Sequence, residues 1–263
     1  MTINLIQEFT PLRVRAIAQT TWIHSALLEI ERETGWEADW DNGVGSGEAL
    51  VEFAGRSCYE SWDKPNPRTA TNAGYIQHIL DVGHLSVLEH SSITFYVTGV
   101  SRSLTHEQVR HRHFGYSQLS QRYVDPGVGA SDTGPVLPPL FCGDTVAQAI
   151  VLKSWEAART AYEELIQHAT EKKPGLARKE YRQAARSVLP NLTETRIVMT
   201  ANYRALRHFF HMRCALAADI EIRTMALDML NQCQLLAPSV FSDFSFVIND
   251  QHETYAESDF HES

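Results

Sequence analysis

Two periodicities of apolar residues, one of two and one near 3.6, divide the chain into strands and helices. Val14, Ala16 and Ala18 alternate with Arg15, Ile17 and Gln19, which predicts a strand near the N-terminus. Gly47 to Arg56 reads as a short helix. Ala73, Ile76, Ile79, Leu80 and Val82 fall at helical spacing, so Asn72 to Val82 is a predicted helix that Gly83 ends. Ser92 to Val100 is rich in β-branched and aromatic residues and predicts a strand, and Ser101 is placed to cap a helix running through Glu107 into Arg110. Asp144 to Thr170 carries Val146, Ile150, Leu152, Tyr162, Leu165 and Ile166 in an amphipathic pattern, a long helix whose charges form its solvated face. A further helix is expected from Leu176 to Leu189, stopped by Pro190, then a strand from Thr193 to Met199. From Asn202 to Leu236 the pattern is helical again, with a break near Ala217.

Two stretches interrupt this order. Thr34 to Gly47 holds four glycines and two tryptophans among acidic residues, and Asp125 to Pro139 holds Gly127, Gly129, Gly134 and four prolines; both read as loops. No repeat or low-complexity segment is apparent. Strands interleaved with long helices predict one α+β domain over residues 1–263, although the pairing order of the strands does not follow from the pattern.

Composition narrows the function classes. A chain of 263 residues that is 43% hydrophobic is globular in type, and its net charge of −9 disfavours nucleic acid and anionic membranes as partners. An anionic ligand must therefore meet locally clustered arginines. No run approaches the roughly 18 apolar residues of a membrane helix, and Met1 to Thr10 lacks the pattern of a signal peptide, so the cytoplasm is the expected location. Cys58, Cys142, Cys214 and Cys233 form no CxxC pair and read as reduced thiols, with Cys58, Cys142 and Cys233 as small packing residues.

The densest chemistry lies in Arg110-His111-Arg112-His113, followed by Phe114-Gly115-Tyr116-Ser117-Gln118-Leu119-Ser120-Gln121-Arg122-Tyr123. Arginine presents a planar fork of donors matched to phosphate oxygens, and hydroxyls and amides fix a nucleotide's orientation. The plain alternative is a solvated basic turn. A metal site is the other rival, since His84, His90, His106, His111 and His113 lie close in sequence. Flanking arginines would repel a cation, and no HExxH or Cys-containing ligand pattern is present, so no metal is expected.

Arg110-His111-Arg112, seven residues, then Ser120 resembles the RHR-x7-S signature of the flavin-dependent thymidylate synthases, and Gln121-Arg122-Tyr123 extends it. Gly83-His84-Leu85-Ser86-Val87-Leu88-Glu89-His90 resembles that family's HxSxxEH segment, and Arg186-Ser187-Val188-Leu189-Pro190 its RxxLP segment. Asn202 to Phe209, Met212-Arg213 and Glu221-Ile222-Arg223 complete the match, which runs from about residue 14 to 236.

The resemblance implies reductive methylation of dUMP to dTMP, with FAD bound, 5,10-methylenetetrahydrofolate as carbon donor and NADPH as reductant. It implies dUMP contacts from Glu107, Gln108, Val109, Arg110, Gln118, Leu119, Ser120, Gln121, Arg122, Arg186 and Arg213. For Val109 and Leu119 the competing reading is backbone or packing alone. FAD contacts are implied for His84, Ser86, Glu89, Arg110, His111, Arg112, Gln118, Asn202, Tyr203, Arg204 and His208. Arg204 and His208 are four apart and share a helical face, while Asn202 could instead be an ordinary N-cap. Arg178, Arg182 and Arg186 form a stripe at four-residue intervals of which only Arg186 matches a family position.

Arg213 is implied to be catalytic: the family arginine there sits against the uracil edge and stabilises the base ionised at N3. A structural salt bridge to Glu221 or Asp219 is the alternative. No GxGxxG fingerprint is present, so FAD must be held by another architecture than a Rossmann fold. Ser120 has no adjacent general base in the sequence and reads as a binding residue, and Cys214 points away from its neighbour Arg213 on a helix. The resemblance further implies a homotetramer with shared active sites. The rival function class is a nucleotide- or RNA-binding protein using the basic cluster at 110–122, with Tyr116 and Tyr123 for stacking.

Overall fold

The period-two pattern is clearest in β2 (Ser92–Ser101), where buried and half-buried positions alternate from Ser92 to Thr98. The same alternation marks β4 (Glu194–Asn202). Together with β1 (Arg13–Gln19) and β3 (Phe114–Gln118) they form a four-stranded sheet of order β1-β2-β4-β3. The computed structural model describes residues 9–38, 43–63, 66–124 and 134–260.

The helices are α1 (His24–Thr34), α2 (Ser46–Ser57), α3 (Asn72–Asp81), α4 (Arg102–Gln108), α5 (Thr145–Lys172), α6 (Arg178–Ala185), α7 (Tyr203–Arg213), α8 (Ile220–Leu236) and the short α9 (Pro238–Phe241). A separate antiparallel hairpin, β5 (Phe244–Ile248) and β6 (Thr254–Ser258), follows, with Phe246 opposite Ala256. The mixed α+β class is the one expected. Among the described residues the chain divides into two compact units: one from residues 9–13, 97–110, 116–124 and 134–198, the other from 14–38, 43–63, 66–96, 111–115 and 199–260.

In the second unit, α8 buries Ile222, Met225, Ala226, Met229, Leu230 and Cys233 at helical spacing. Phe209, Phe210 and Phe241 are likewise fully buried, and each such side chain stabilises the fold by about 1.5–3 kcal/mol. Gly83 adopts φ 70° just past α3, the left-handed conformation that ends a helix without a Cβ penalty.

Several expectations are corrected. His24 to Thr34, for which no element was expected, forms a helix whose Leu27 joins a core cluster with Trp36, Ala38 and Ala49. Trp36 therefore belongs to the core rather than to an open loop, with its ring 5.1 Å from Phe53 and 5.9 Å from Trp22. Residues 39–42 of the expected loop at 34–47, and 125–133 of that at 125–139, lie outside the described residues. So do residues 1–8 of the segment read for a signal peptide. Pro135 makes an isolated bridge to Thr193, and Val136 is buried.

On α5, Leu152 and Tyr162 are buried as the pattern predicts, with Trp155 beside them, whereas Val146, Ile150 and Leu165 are 69%, 65% and 41% exposed. The helix expected at 176–189 is shorter: α6 begins at Arg178 and loosens at Arg186 into a 3-10 turn ending at Val188, with the Arg186 N–H still bonded to the Arg182 carbonyl one turn back. Cys58 and Cys142 are exposed, which overturns their reading as packing residues, while Cys233 is buried as expected and Cys214 is buried too. No helix among the described residues is long and apolar enough to cross a membrane.

Candidate active site

In the first unit the candidate residues follow α4. Ser101 caps it as expected, its Oγ accepting from the Leu104 N–H at 3.0 Å. Gln108 is fully buried; its amide donates to the Tyr116 hydroxyl at 3.2 Å, which donates to the Gln108 carbonyl at 2.7 Å. Burial pushes the Tyr116 phenol up to about 12, so it stays a neutral donor near pH 7. Glu107 is half-buried, and Val109 and Arg110 are exposed. Gln118, half-buried on β3, donates to the Thr105 and Thr195 hydroxyls at 3.3 and 3.4 Å.

Both backbone groups of Leu119 are engaged: its N–H donates to the Arg196 carbonyl at 2.8 Å, and its C=O accepts from Arg102 at 2.7 Å. The Ser120 Oγ accepts from the Arg122 N–H at 3.3 Å, which leaves its hydroxyl proton to give to a ligand oxygen. Gln121 is half-buried, and the Arg122 guanidinium lies 5.7 Å from the Tyr123 ring. The Nε of Arg122 is enclosed and without a hydrogen-bond partner among the described residues.

Arg186 is exposed, and its charge acts on Arg102. Burial above all, and then the Arg186 cation, lower the Arg102 pKa, while Glu194 opposes them. That carboxylate is shared, since it also accepts from the Gly99 N–H at 3.0 Å and lies 3.5 Å from Arg196. Glu194 thus serves Arg196 and Arg102 while the Arg186 charge also acts on Arg102, a local excess of positive charge of the kind a phosphate neutralises. Arg102 was missed from the sequence; a cation one residue past a predicted helix cap is the signal that could have found it.

In the second unit the candidates ride mainly on α7. Asn202 is its N-cap, Oδ1 accepting from the Ala205 N–H at 2.8 Å, so the plain reading of this residue holds for that oxygen. Tyr203 is fully buried against Gly47, where an added Cβ would lie 2.0 Å from the Tyr203 hydroxyl oxygen. Tyr203 is therefore internal, and presents no surface of this chain to a ligand. Arg204 and His208 are both exposed on one face, as their spacing predicts. Arg204 pairs with Glu89 at 2.6 Å. Glu89 and Ser86 project from the 3-10 turn Leu85–His90, whose Val87 and Leu88 are buried, and His84 precedes it, exposed.

His111 is 8% exposed, its ring edge-on to Phe209 at 4.8 Å and 6.5 Å from His208. Its Nε2 accepts from Arg213 Nε at 2.9 Å, which places the ring proton on Nδ1 and fixes the plane of the guanidinium. Arg112 is exposed. Asp219, one alternative partner considered for Arg213, caps α8 by accepting from the Glu221 N–H at 2.9 Å. Cys214, next to Arg213, is fully buried, and burial drives its thiol pKa well up, so it does not ionise near neutrality. No three His, Cys, Asp or Glu side chains among the described residues converge as a metal site would.

A family model, that of the thymidylate synthase complementing protein, matches residues 44–239. The chain is 54% identical over 246 residues to the flavin-dependent thymidylate synthase of Mycolicibacterium vanbaalenii, covering 92% of this chain and 93% of that protein. It is 53% identical over 242 residues to the enzyme of the same name from Mycobacteroides abscessus, covering 90% and 91%. Against the Mycobacterium tuberculosis protein of that name the identity is 52% over 242 residues, with the same coverage.

Proposed function

From the premise that this chain belongs to the thymidylate synthase complementing protein family, the flavin-dependent thymidylate synthases, we propose that it methylates dUMP to dTMP with 5,10-methylenetetrahydrofolate and NADPH. It is a methyltransferase that uses FAD. The match at 44–239 draws on residues of both units, which supports one functional domain. The observation that carries the reading is the bond from Arg213 Nε to His111 Nε2, because it joins the arginine expected at the uracil edge to the central histidine of the RHR segment.

Chemically, the task is to make C5 of the pyrimidine nucleophilic. A guanidinium held in a fixed plane stabilises negative charge on the ring as it develops, without reorganising. The buried, protonated Cys214 is unsuited to adding at C6. Arg186, with Arg102 and Arg122 and the Ser120 hydroxyl, supplies the donors for the nucleotide's phosphate.

The residues present fit a flavin nucleotide. Exposed His84, Ser86, Arg204 and His208 form a donor-rich set, and Glu89 holds the Arg204 guanidinium without burying it. These residues, with His111 and Arg112, would hold the FAD, and the cofactor would supply the redox chemistry. Tyr203 and Asn202 would act behind them, as packing and cap.

We read the assembly as a homotetramer. Leu140, Val146 and Ile150 are 81%, 69% and 65% exposed near the start of α5, apolar surface suited to a partner subunit. Light scattering of active protein should then give about four times 29.7 kDa. A mass near that of one chain would overturn it. The reaction itself is tested by product analysis with components omitted in turn. dTMP should form only when dUMP, the folate and NADPH are all supplied to FAD-loaded protein. Undiminished dTMP without the folate or without the reductant would refute the proposal.

A further inference from the structure

Arg213 is the last residue of α7, where a helix runs out of intrahelical partners for its carbonyls. The chain then crosses residues 214–219 before α8, with local bonds from Cys214 N–H to Phe210 C=O and from Ala218 N–H to Ala215 C=O. Two carbonyls of this turn are held by groups distant in sequence. The Cys214 C=O accepts from the Ala256 N–H of β6 at 2.9 Å. The Leu216 C=O accepts from Arg223 at 2.5 Å, and that guanidinium is itself seated on Glu253 at 2.7 Å.

Glu253 lies in the turn of the hairpin, where Asn249 binds it three times: its amide donates to the Glu253 carboxylate at 3.2 Å, its Oδ1 accepts from the Glu253 N–H at 2.9 Å, and its N–H donates to the Glu253 carbonyl at 3.1 Å. The base of the hairpin is pinned separately. Arg207, buried in the middle of α7, grips Asp243 with two bonds of 2.6 and 2.8 Å, and the Ser258 hydroxyl donates to the same carboxylate. α7 is thus tied to the hairpin at its centre and just beyond its end, around the residue whose guanidinium meets His111.

We propose that the C-terminal hairpin β5–β6 positions Arg213 for the pyrimidine, with Glu253 and Arg223 as positioning residues that act through the turn at 214–216. This rests on the reading of Arg213 as the uracil-edge residue. Neither residue touches substrate. Their effect is to stop the end of α7 from fraying, so that the Arg213 fork keeps its plane. A purely stabilising role would lower the melting temperature and cofactor loading alike, and would add independently to the loss of Arg213. A positioning role is spent once Arg213 is gone.

The experiment is a double-mutant cycle on full-length, FAD-loaded protein, comparing wild type, Glu253→Ala, Arg213→Ala and the double variant by equilibrium binding of dUMP. Glu253→Ala is expected to weaken dUMP binding about tenfold while FAD affinity changes less than about twofold, and to cost nothing further in the Arg213→Ala background. Equal losses in both backgrounds, or no loss in Glu253→Ala, would overturn the positioning role. Wild-type dUMP binding by Arg213→Ala would instead overturn the reading of Arg213 itself. Should Glu253→Ala fail to fold, Glu253→Gln, which keeps an amide oxygen for Arg223, runs the same cycle at smaller amplitude.

Discussion

In the first unit, the candidate residues follow a seven-residue helix onto a short strand and a turn, and the charge of one of them, Arg186, acts on Arg102 with Glu194 opposing it. In the second, the candidates ride on an eleven-residue helix whose inner face is fully buried, and their charged groups already have partners, Glu89 for Arg204 and His111 for Arg213. The contrast separates two ways of meeting an anion. An arginine group in excess over its carboxylates leaves charge for a small, doubly charged phosphate to satisfy. A pre-paired, rigid face sets the plane of rings and guanidinium groups before a larger ligand arrives. The nucleotide assignments fall mostly in the first unit and the flavin assignments mostly in the second; Arg110 and Gln118, in the first unit, are assigned to both ligands, and among the nucleotide residues Arg213 is the exception.

That exception gives the largest expected effect. Arg213→Lys keeps the charge but loses the planar fork and the Nε bond to His111, so dTMP formation should fall by about 100-fold while FAD content stays normal. Steady-state assay beside flavin quantification checks this, and wild-type turnover would break the assignment. Next, Arg186→Ala removes a charge-assisted phosphate contact, worth about 1.5–3 kcal/mol, and should weaken dUMP binding by about 10- to 100-fold without altering FAD affinity. If flavin is lost as well, the separation of roles is wrong. Arg204→Ala is the mirror test: it should weaken FAD by about tenfold and leave the melting temperature nearly unchanged, because an exposed ion pair contributes about 0–1 kcal/mol. Isothermal titration with FAD and a thermal melt distinguish the two.

How far this contrast could be read from the residues alone depends on where the restraint comes from. β2 and α3 were legible almost to the residue because alternation and helical spacing are local, and Ser101 and Gly83 mark their boundaries with side-chain and backbone chemistry. The exposed face of Arg204 and His208 was legible for the same reason. β3 was not, because Gly115 and Ser117 dilute its pattern within a basic cluster that reads first as chemistry. The hairpin after Asp243 was also missed. Its strands are short and half-exposed, and what holds them are Arg207 and Arg223, thirty or more residues away. For Tyr203 the resemblance implies a flavin contact, and what no local pattern announces is the close approach of Gly47 that buries its side chain.

The smallest expected effects concern the thiols. Cys58 and Cys142 are exposed and should be alkylated first, with dTMP formation retained. Cys214 and Cys233, whose pKa values burial raises, should resist alkylation in folded protein. Replacing all four should leave turnover within about tenfold of wild type in a variant that folds and holds FAD. Mass spectrometry of the alkylated protein and assay of the variant measure this, and one cysteine whose loss abolishes product at normal FAD content would reopen a thiol route.

Arg213, flavin and nucleotide are tested together by the absorption spectrum of the purified, full-length protein before and after dUMP is added. A yellow protein with an oxidised-flavin spectrum that shifts saturably on titration with dUMP, and shifts far less in Arg213→Lys, is the predicted result. A colourless protein that takes up no FAD, or a flavin spectrum indifferent to dUMP in protein that is folded and assembled, would contradict it.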